Sequence, residues 1–489
     1  MIDKIKKITQ NTIVKDLFSQ SVWSTIGAII AKGFLFSIWV IIARILSISV
    51  YGEFCIVRNT TFLFVQFASL SFGFASAKYI AQYFNHDNEK VERLAGLFLL
   101  CSIVIGFILF IIFYMSSEWI CINMLNAPAL SKQLKYTSVV LLLSSFSGSQ
   151  VGILSGFNQY KIIAKINVLQ IVLSFPFFIV LTYKYNLNGA VFAYVIFNII
   201  LSILSYFELN KFCRSSGIKI SFKFRKDEFK MIFYYVIPYF LAVFVTMLSS
   251  WYNETVLVSV SVNGFTDMGY FSAVNVFQLM IIGITIMFCT PFVSMISKYK
   301  SDDNRKILEK LNFIFPLYLS LLITFIVVLF PEIFSFLYGK NYANNLVYNI
   351  VVVMALYTVV IIYKQALARL VAVYELQRLY LFDSILFSIL CVICFHCLKS
   401  FGAIGIAYSY FISYIVSSII ITPFYIKRKM IKLELFCDKY LVVLFILNVF
   451  SLLLYLTIDN LLIRLSVFVF IMAFIAFVLK SRKNVARDK

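Results

Sequence analysis

Three charged side chains stand inside long apolar runs of this sequence, and their types set the chemistry open to it. Lys32 lies eleven residues into an apolar run over 21–46, Arg58 lies near the start of a run over 53–76, and Glu254 lies within a run over 231–262. An apolar run of roughly 20 residues crosses a bilayer as a helix. At a rise of about 1.5 Å per residue, Lys32 falls mid-membrane and Arg58 at a similar or slightly shallower depth. Cations at that depth are costly and normally face a bundle interior or a wet cavity, where they attract an anion. The alternative for each is a long stem that snorkels to the interface. A carboxylate in an apolar helix gains or loses its charge according to its neighbours. Glu254 is therefore a candidate for coupling a conformational change to a proton or sodium gradient. Structural pairing with Arg58 or Lys32 is the competing role.

Polar and aromatic residues surround these charges in the sequence. Trp251 and Tyr252 precede Glu254 and bring two aromatic rings into the candidate substrate-binding set. Asn275 and Gln278 lie about one turn apart in a later apolar run and complete the candidate substrate-binding set. Lys364 and Arg369 sit at the end of another run. They read as a basic vestibule, or as anchors of the kind that mark cytoplasmic helix ends.

The elements that must position these groups are helices. Fourteen apolar runs cover approximately 21–46, 53–76, 94–115, 132–156, 162–183, 188–207, 231–262, 268–297, 312–331, 343–363, 379–398, 401–425, 438–457 and 460–479. None alternates with a period of two, which argues against a barrel. The expected fold is an all-α polytopic membrane protein. Hydrophobic residues make up 62% of its 489 residues, too many for a soluble domain of this size.

The connecting loops alternate in charge. One set carries Lys78, Lys90, Arg93, Lys161, Lys165, Lys211, Lys219, Arg305 and Lys427, while the other holds little beyond Lys132, Lys135, Lys184, Lys340 and Lys399. Lys/Arg bias marks cytoplasmic loops, and an even number of spans leaves both termini in the cytoplasm. The net charge of +21 is thereby explained by topology and anionic headgroups. No nucleic-acid partner is expected.

The domain plan follows. Residues 1–20 form an amphipathic basic leader, 21–210 a first set of six helices, 211–230 a basic cytoplasmic linker and 231–426 a second set of six. A basic linker over 427–437, two further helices over 438–480 and a tail over 481–489 complete the chain. A shift of 217 residues aligns Tyr51-Gly52-Glu53-Phe54 with Met268-Gly269-Tyr270-Phe271, and Arg58 with Asn275. A shift of 216 aligns Gly189, Ala190 and Tyr194 with Gly405, Ile406 and Tyr410. Both sets of six then share one orientation, a parallel repeat of the kind that suits alternating access. Gly148, Gly152 and Gly156 make a small-residue stripe for close helix contact, and Pro176, Pro238 and Pro291 are expected kinks.

Cys391, Cys394, Cys397 and His396 lack a second half-site, so packing is expected rather than a metal. The chain carries no phosphate loop, HExxH or G-x-S-x-G, so no enzyme and no cofactor are expected.

With "YGEF" at 51–54, "SGFNQYK" at 155–161 and "MGYFSAVNVF" at 268–277, the architecture resembles the polysaccharide flippases of the multidrug/oligosaccharidyl-lipid/polysaccharide exporter superfamily. The likeness to bacterial O-antigen flippases covers nearly the whole chain. The resemblance implies a V-shaped pair of six-helix lobes around a cationic cavity. It implies a bacterial inner-membrane protein that flips an undecaprenyl-diphosphate-linked oligosaccharide outward, with Lys32 and Arg58 in the cavity. Membrane lipids, a polysaccharide polymerase and chain-length machinery are the implied partners. A peptidoglycan-precursor flippase, a multidrug exporter and a membrane enzyme of polysaccharide assembly are the alternatives. The multidrug branch typically has twelve spans and an acidic residue in the first, whereas this chain adds two spans and has Lys32, and cavity arginines are few for a peptidoglycan-precursor flippase.

Overall fold

The computed structural model describes residues 32–84, 86–223, 226–287, 296, 303–374, 376–428 and 438–469. The leader, Pro291, residues 429–437 and the C-terminal tail lie outside the described residues.

Among the described residues, fourteen helical segments follow the fourteen apolar runs. They are α1 (32–45), α2 (Ile48–Tyr83), α3 (Asn88–Trp119), α4 (Ser131–Gly156), α5 (160–185) and α6 (187–215). The second set is α7 (Lys226–Val260), α8 (Gly264–Met287), α9 (Asp303–Leu329), α10 (Asn345–Tyr374), α11 (Gln377–Leu398) and α12 (Gly402–Lys427). Helix α13 (Lys439–Thr457) and the described part of α14 (461–469) follow. Eight stretches are long and apolar enough to cross a membrane among the described residues. Two of these, Tyr160–Ser215 and Arg378–Lys427, each hold two helices.

The helices overrun their apolar cores at the lysine-rich end. Helix α2 continues past Lys78 to Tyr83, and Asp87 caps α3 by accepting from the Lys90 amide at 2.9 Å. Hydrophobicity stops where the lipid stops, whereas backbone hydrogen bonding continues into the polar zone. The linker expected over 211–230 is accordingly shorter, because α6 runs to Ser215 and α7 begins at Lys226. Glu92 of α3 pins it, accepting from the Lys219 amide at 2.7 Å through its carboxylate and from the Ser221 amide at 3.1 Å through its carbonyl.

Packing repeats with a shift of six helices. Helix α2 packs on α3 and α4 as α8 packs on α9 and α10, and α3 meets α4 as α9 meets α10. The glycine stripe serves the α2–α4 contact. A side chain at Gly152 would strike the Gly73 carbonyl, and one at Gly156 would meet Ile80 at 2.7 Å. The α5–α6 and α11–α12 corners share one backbone geometry, with Asn186 at φ 52°, ψ −127° and Gly402 at φ 61°, ψ −132°. These residues are 216 positions apart, the shift read from the sequence. Helices α13 and α14 dock on the second set. Asn448 donates to the Leu321 carbonyl at 3.0 Å, and Arg464 donates to the Leu329 carbonyl at 2.9 Å and pairs with Glu332.

The two lobes join at one end. The largest core joins Tyr51, Phe54 and Val57 of the N-lobe to Trp251, Met268, Phe271 and Val351 of the C-lobe. Towards the lysine-rich end the cores separate. Ile80, Leu154 and Phe157 belong to one cluster, and Phe313, Leu370 and Tyr425 to another. The result is a V whose apex is at the lysine-poor end.

At that apex α2 and α8 cross reciprocally. A side chain at Gly52 would strike the Phe265 carbonyl, and one at Gly269 would strike the Ile48 carbonyl. Gly52 and Gly269, like Ile48 and Phe265, are related by the 217-residue shift, so the contact lies on the pseudo-twofold axis. Only glycine permits this approach, because any Cβ would occupy the partner backbone. Gly52→Val is expected to cost about 1–3 kcal/mol through overpacking and to pry the seam apart. Cys55, fully buried in the same seam, should then react several-fold faster with a thiol reagent, read by peptide mass spectrometry. Unchanged labelling of Cys55 would show that the crossing does not hold the apex shut.

Candidate functional site

Arg58 projects from α2 near the apex, about 15 Å along the helix from its start. Helix α2 begins abruptly because Ser47 caps it, accepting from the Val50 amide at 3.4 Å, so α1 folds back directly alongside. That return brings Trp39 of α1 to Arg58, with the guanidinium carbon 4.6 Å from the ring centroid. Stacking on an aromatic face and forking to an oxygen both hold the guanidinium plane. Here the fork goes to Asn59, whose Oδ1 accepts from Nε and Nη2 at 3.1 Å each. A guanidinium has five N–H donors, and this bond uses two of them.

The chain of contacts continues across the lobes. Asn59 Nδ2 donates to Glu254 Oε2 of α7 at 2.9 Å. Arg58 and Glu254 therefore meet through a neutral amide, with Asn59 between them. Glu254 is buried, and Trp251, one turn earlier, donates its indole N–H to Thr60 Oγ1 at 3.0 Å. Tyr410 of α12 donates to the Ser250 carbonyl at 3.5 Å. Asn253, between Trp251 and Glu254, turns into the C-lobe and donates to the carbonyl and sulfur of Cys391 at 3.2 and 3.3 Å. The lobe contact is thus a polar relay, Arg58–Asn59–Glu254, beside an apolar seam.

Lys32 lies further from the apex, near the described start of α1, and is exposed. Its side chain runs against Gly283 of α8, where a Cβ would lie 3.5 Å from Nζ. Two cations thus stand at successive depths, one at the apex and one nearer the open end, both on the N-lobe. Tyr252 is part-exposed on α7 and Asn275 is half-buried on α8. Gln278 is placed elsewhere: it is buried and donates to the Met354 carbonyl of α10 at 3.1 Å, inside the C-lobe.

Lys364 and Arg369 are likewise engaged within the C-lobe. Lys364 Nζ lies 2.6 Å from Asp383 Oδ1 of α11 and 2.7 Å from Ser417 Oγ of α12, with the Tyr414 ring 5.0 Å away. Arg369 donates to Asn312 Oδ1 at 2.6 Å and to the Asn312 carbonyl at 3.2 Å, tying α10 to α9. A half-buried Arg369 remains near the helix end.

Sequence reasoning missed three partners. Asn59 looked like one polar residue among many beside Arg58. Asp383 carried a usable signal, being an acid in an apolar helix where acids are rare. Arg44 of α1 lies near the end of the first apolar run. It donates to the carbonyls of Phe336 and Leu337 at 2.7 Å each, at the C-terminus of a seven-residue helix, Glu332–Tyr338, of the other lobe. A cation suits the negative end of a helix. Among the described residues, no group of three or more His, Cys, Asp or Glu is placed to hold a metal. Cys391 is buried, Cys394 intermediate and Cys397 exposed.

A family model described as polysaccharide biosynthesis protein matches residues 17–297, more than half of the chain. No curated protein matches. Among solved structures, the chain is similar to an inward-facing multidrug resistance MATE family transporter of the MOP superfamily. The identity is 14% and the TM-score 0.67, over 81% of this chain and 94% of that one. It is similar also to a MOP superfamily transporter from Pyrococcus furiosus described as having a binding pocket of reverse polarity. There the identity is 15% and the TM-score 0.64, over 83% and 95% of the two chains. An outward-facing MATE family transporter gives a TM-score of 0.63 at 15% identity, over the same shares. At these identities the likeness is one of fold.

Proposed function

The chain belongs to the polysaccharide biosynthesis protein family, and from that premise we propose that it flips a lipid-linked oligosaccharide across a bacterial inner membrane. The undecaprenyl-diphosphate class is the cargo we propose, because its diphosphate is anionic and the candidate site is cationic. The observation that carries this reading is Arg58. Its guanidinium stands at the apex of the V, stacked on Trp39 and forked to a neutral amide, with N–H donors left over for an anion. Arg in such a setting suits bidentate recognition of phosphate.

The lysine-rich end is taken as cytoplasmic, from the loop charge bias. The lipid-linked diphosphate enters the open end of the V, meets exposed Lys32 first, and reaches Arg58 at the apex. A phosphate that takes the remaining N–H donors of Arg58 draws the guanidinium away from Asn59 Oδ1. Asn59 also holds Glu254 of the other lobe. Occupancy of Arg58 is thereby reported to α7, and the lobe contact loosens when the cargo is seated. A ligand shifts a conformational equilibrium only through such differential contacts.

Flux of a lipid-linked oligosaccharide in proteoliposomes, against an imposed proton or sodium gradient, tests this reading. The purified chain should move the lipid between leaflets, and export of a cationic dye with no movement of the lipid would overturn it. Glu254→Gln keeps an acceptor for Asn59 but removes the charge. The variant is expected to lose most of the gradient dependence of flux while binding the lipid nearly as well as wild type. A full gradient response in the variant would leave Glu254 with pairing and packing alone.

A further inference from the structure

The apex buries three tyrosines whose hydroxyls are poorly satisfied in the closed arrangement. Tyr51 comes from α2 of the N-lobe. Tyr338 ends the short helix of the C-lobe, and Tyr342 lies in the turn after it. All three are at most 1% exposed. Among the described residues, the Oη atoms of Tyr338 and Tyr342 have no hydrogen-bond partner, and Tyr51 Oη has none beyond the weakly bonding Cys55 thiol, against which Ser272 Oγ of α8 also lies. Buried hydroxyls are normally bonded, since leaving one unmade forfeits its hydration without return. Three on one seam make it a surface suited to something other than its closed form.

The rings are grouped. Tyr338 and Tyr342 have centroids 5.5 Å apart, Phe334 stacks on Tyr338 at 4.3 Å, and Tyr270 meets Tyr342 edge-on at 6.0 Å. Tyr51 is near enough to interact electrostatically with both tyrosines and with Arg58. The group straddles the lobes, so parting them at this end uncovers it. The short helix is tied to the N-lobe by the two Arg44 bonds to its last carbonyls, contacts that one side chain can release.

Phenol hydroxyls beside aromatic faces match the chemistry of a saccharide. The hydroxyls donate to and accept from sugar hydroxyls, and the ring faces pack against apolar C–H faces. We infer that Tyr51, Tyr338 and Tyr342 form a saccharide-binding surface, concealed at the closed apex and presented when the lobes part there. The inference rests on the reading of a lipid-linked oligosaccharide as cargo. Tyr51 stands about two helical turns from Arg58 on α2, so sugar and diphosphate would be held side by side.

A triple Tyr51→Phe, Tyr338→Phe, Tyr342→Phe variant keeps the rings and removes only the hydroxyls. Its thermal midpoint in detergent is expected to match or exceed that of the wild type. Flipping of the oligosaccharide-linked lipid in proteoliposomes is expected to fall at least about tenfold, while polyprenyl diphosphate without sugar binds as before. Wild-type flipping by the triple variant would overturn the inference. Should the triple variant fail to fold, Tyr51→Phe and Tyr342→Phe singly are each expected to slow flipping about threefold, the scale of one hydrogen bond. Wild-type rates in both would overturn it equally. Failure of the unaltered protein to flip the lipid would instead remove the cargo reading on which the inference stands.

Discussion

A Lys32→Ala, Arg58→Ala double variant is expected to flip lipid-linked oligosaccharide roughly 10- to 100-fold more slowly than the unaltered chain. The estimate follows from a charge-assisted hydrogen bond to phosphate, worth about 1.5–3 kcal/mol, at about 1.4 kcal/mol per tenfold change. Most of the loss should come from Arg58. It is held by Trp39 at 4.6 Å and by Asn59, whereas Lys32 is exposed and screened. Arg58→Lys keeps the charge but gives up the planar fork and much of the stacking, so it should recover only part of the rate. The variant must be shown to insert and purify normally before its flux is read. A well-folded double variant that flips at the unaltered rate would remove Arg58 and Lys32 from the cargo site.

The largest stability effect is expected at Lys364 and Asp383. Their side chains are 10% and 9% exposed and join three helices of the C-lobe through Ser417. Removing one member leaves the other charge buried and unpaired, at a cost of about 3–5 kcal/mol. Asp383→Ala and Lys364→Met should each lower the thermal midpoint in detergent sharply and reduce the yield of folded protein. The paired change Lys364→Met, Asp383→Leu removes both charges and should recover most of the loss, because apolar replacement of a buried pair is often neutral. A midpoint for Asp383→Ala within a degree of the unaltered chain would mean that water reaches the pair and that the C-lobe is looser than the packing shows. The pair lies apart from Arg58, so flux per folded molecule in the double replacement tells whether these charges serve transport or only the lobe.

Reading the chain alone succeeded where the physics is local. A helix that crosses lipid must satisfy its own backbone and clothe itself in apolar side chains, so all fourteen segments appear as runs of hydrophobic residues. The repeat was legible for the same reason. Gly52 and Gly269 had to be glycine for two backbones to touch, and residues 186 and 402 turn the same corner. Lys32, Arg58 and Glu254 stood out because charge is rare in such runs. What each charge faces is a matter of helix rotation and tertiary partners, which lipid-length apolar runs leave open, since every face of such a helix is apolar. Only the packed helices put Asn59 between Arg58 and Glu254, gave Lys364 to Asp383, and sent Arg44 across the seam to cap another lobe's helix. They also turned Gln278 into the C-lobe. The sequence by itself determined the membrane helices and the presence of charge within them. The tertiary structure decided which charges are committed to which neighbours, because that depends on contacts between residues up to 293 positions apart.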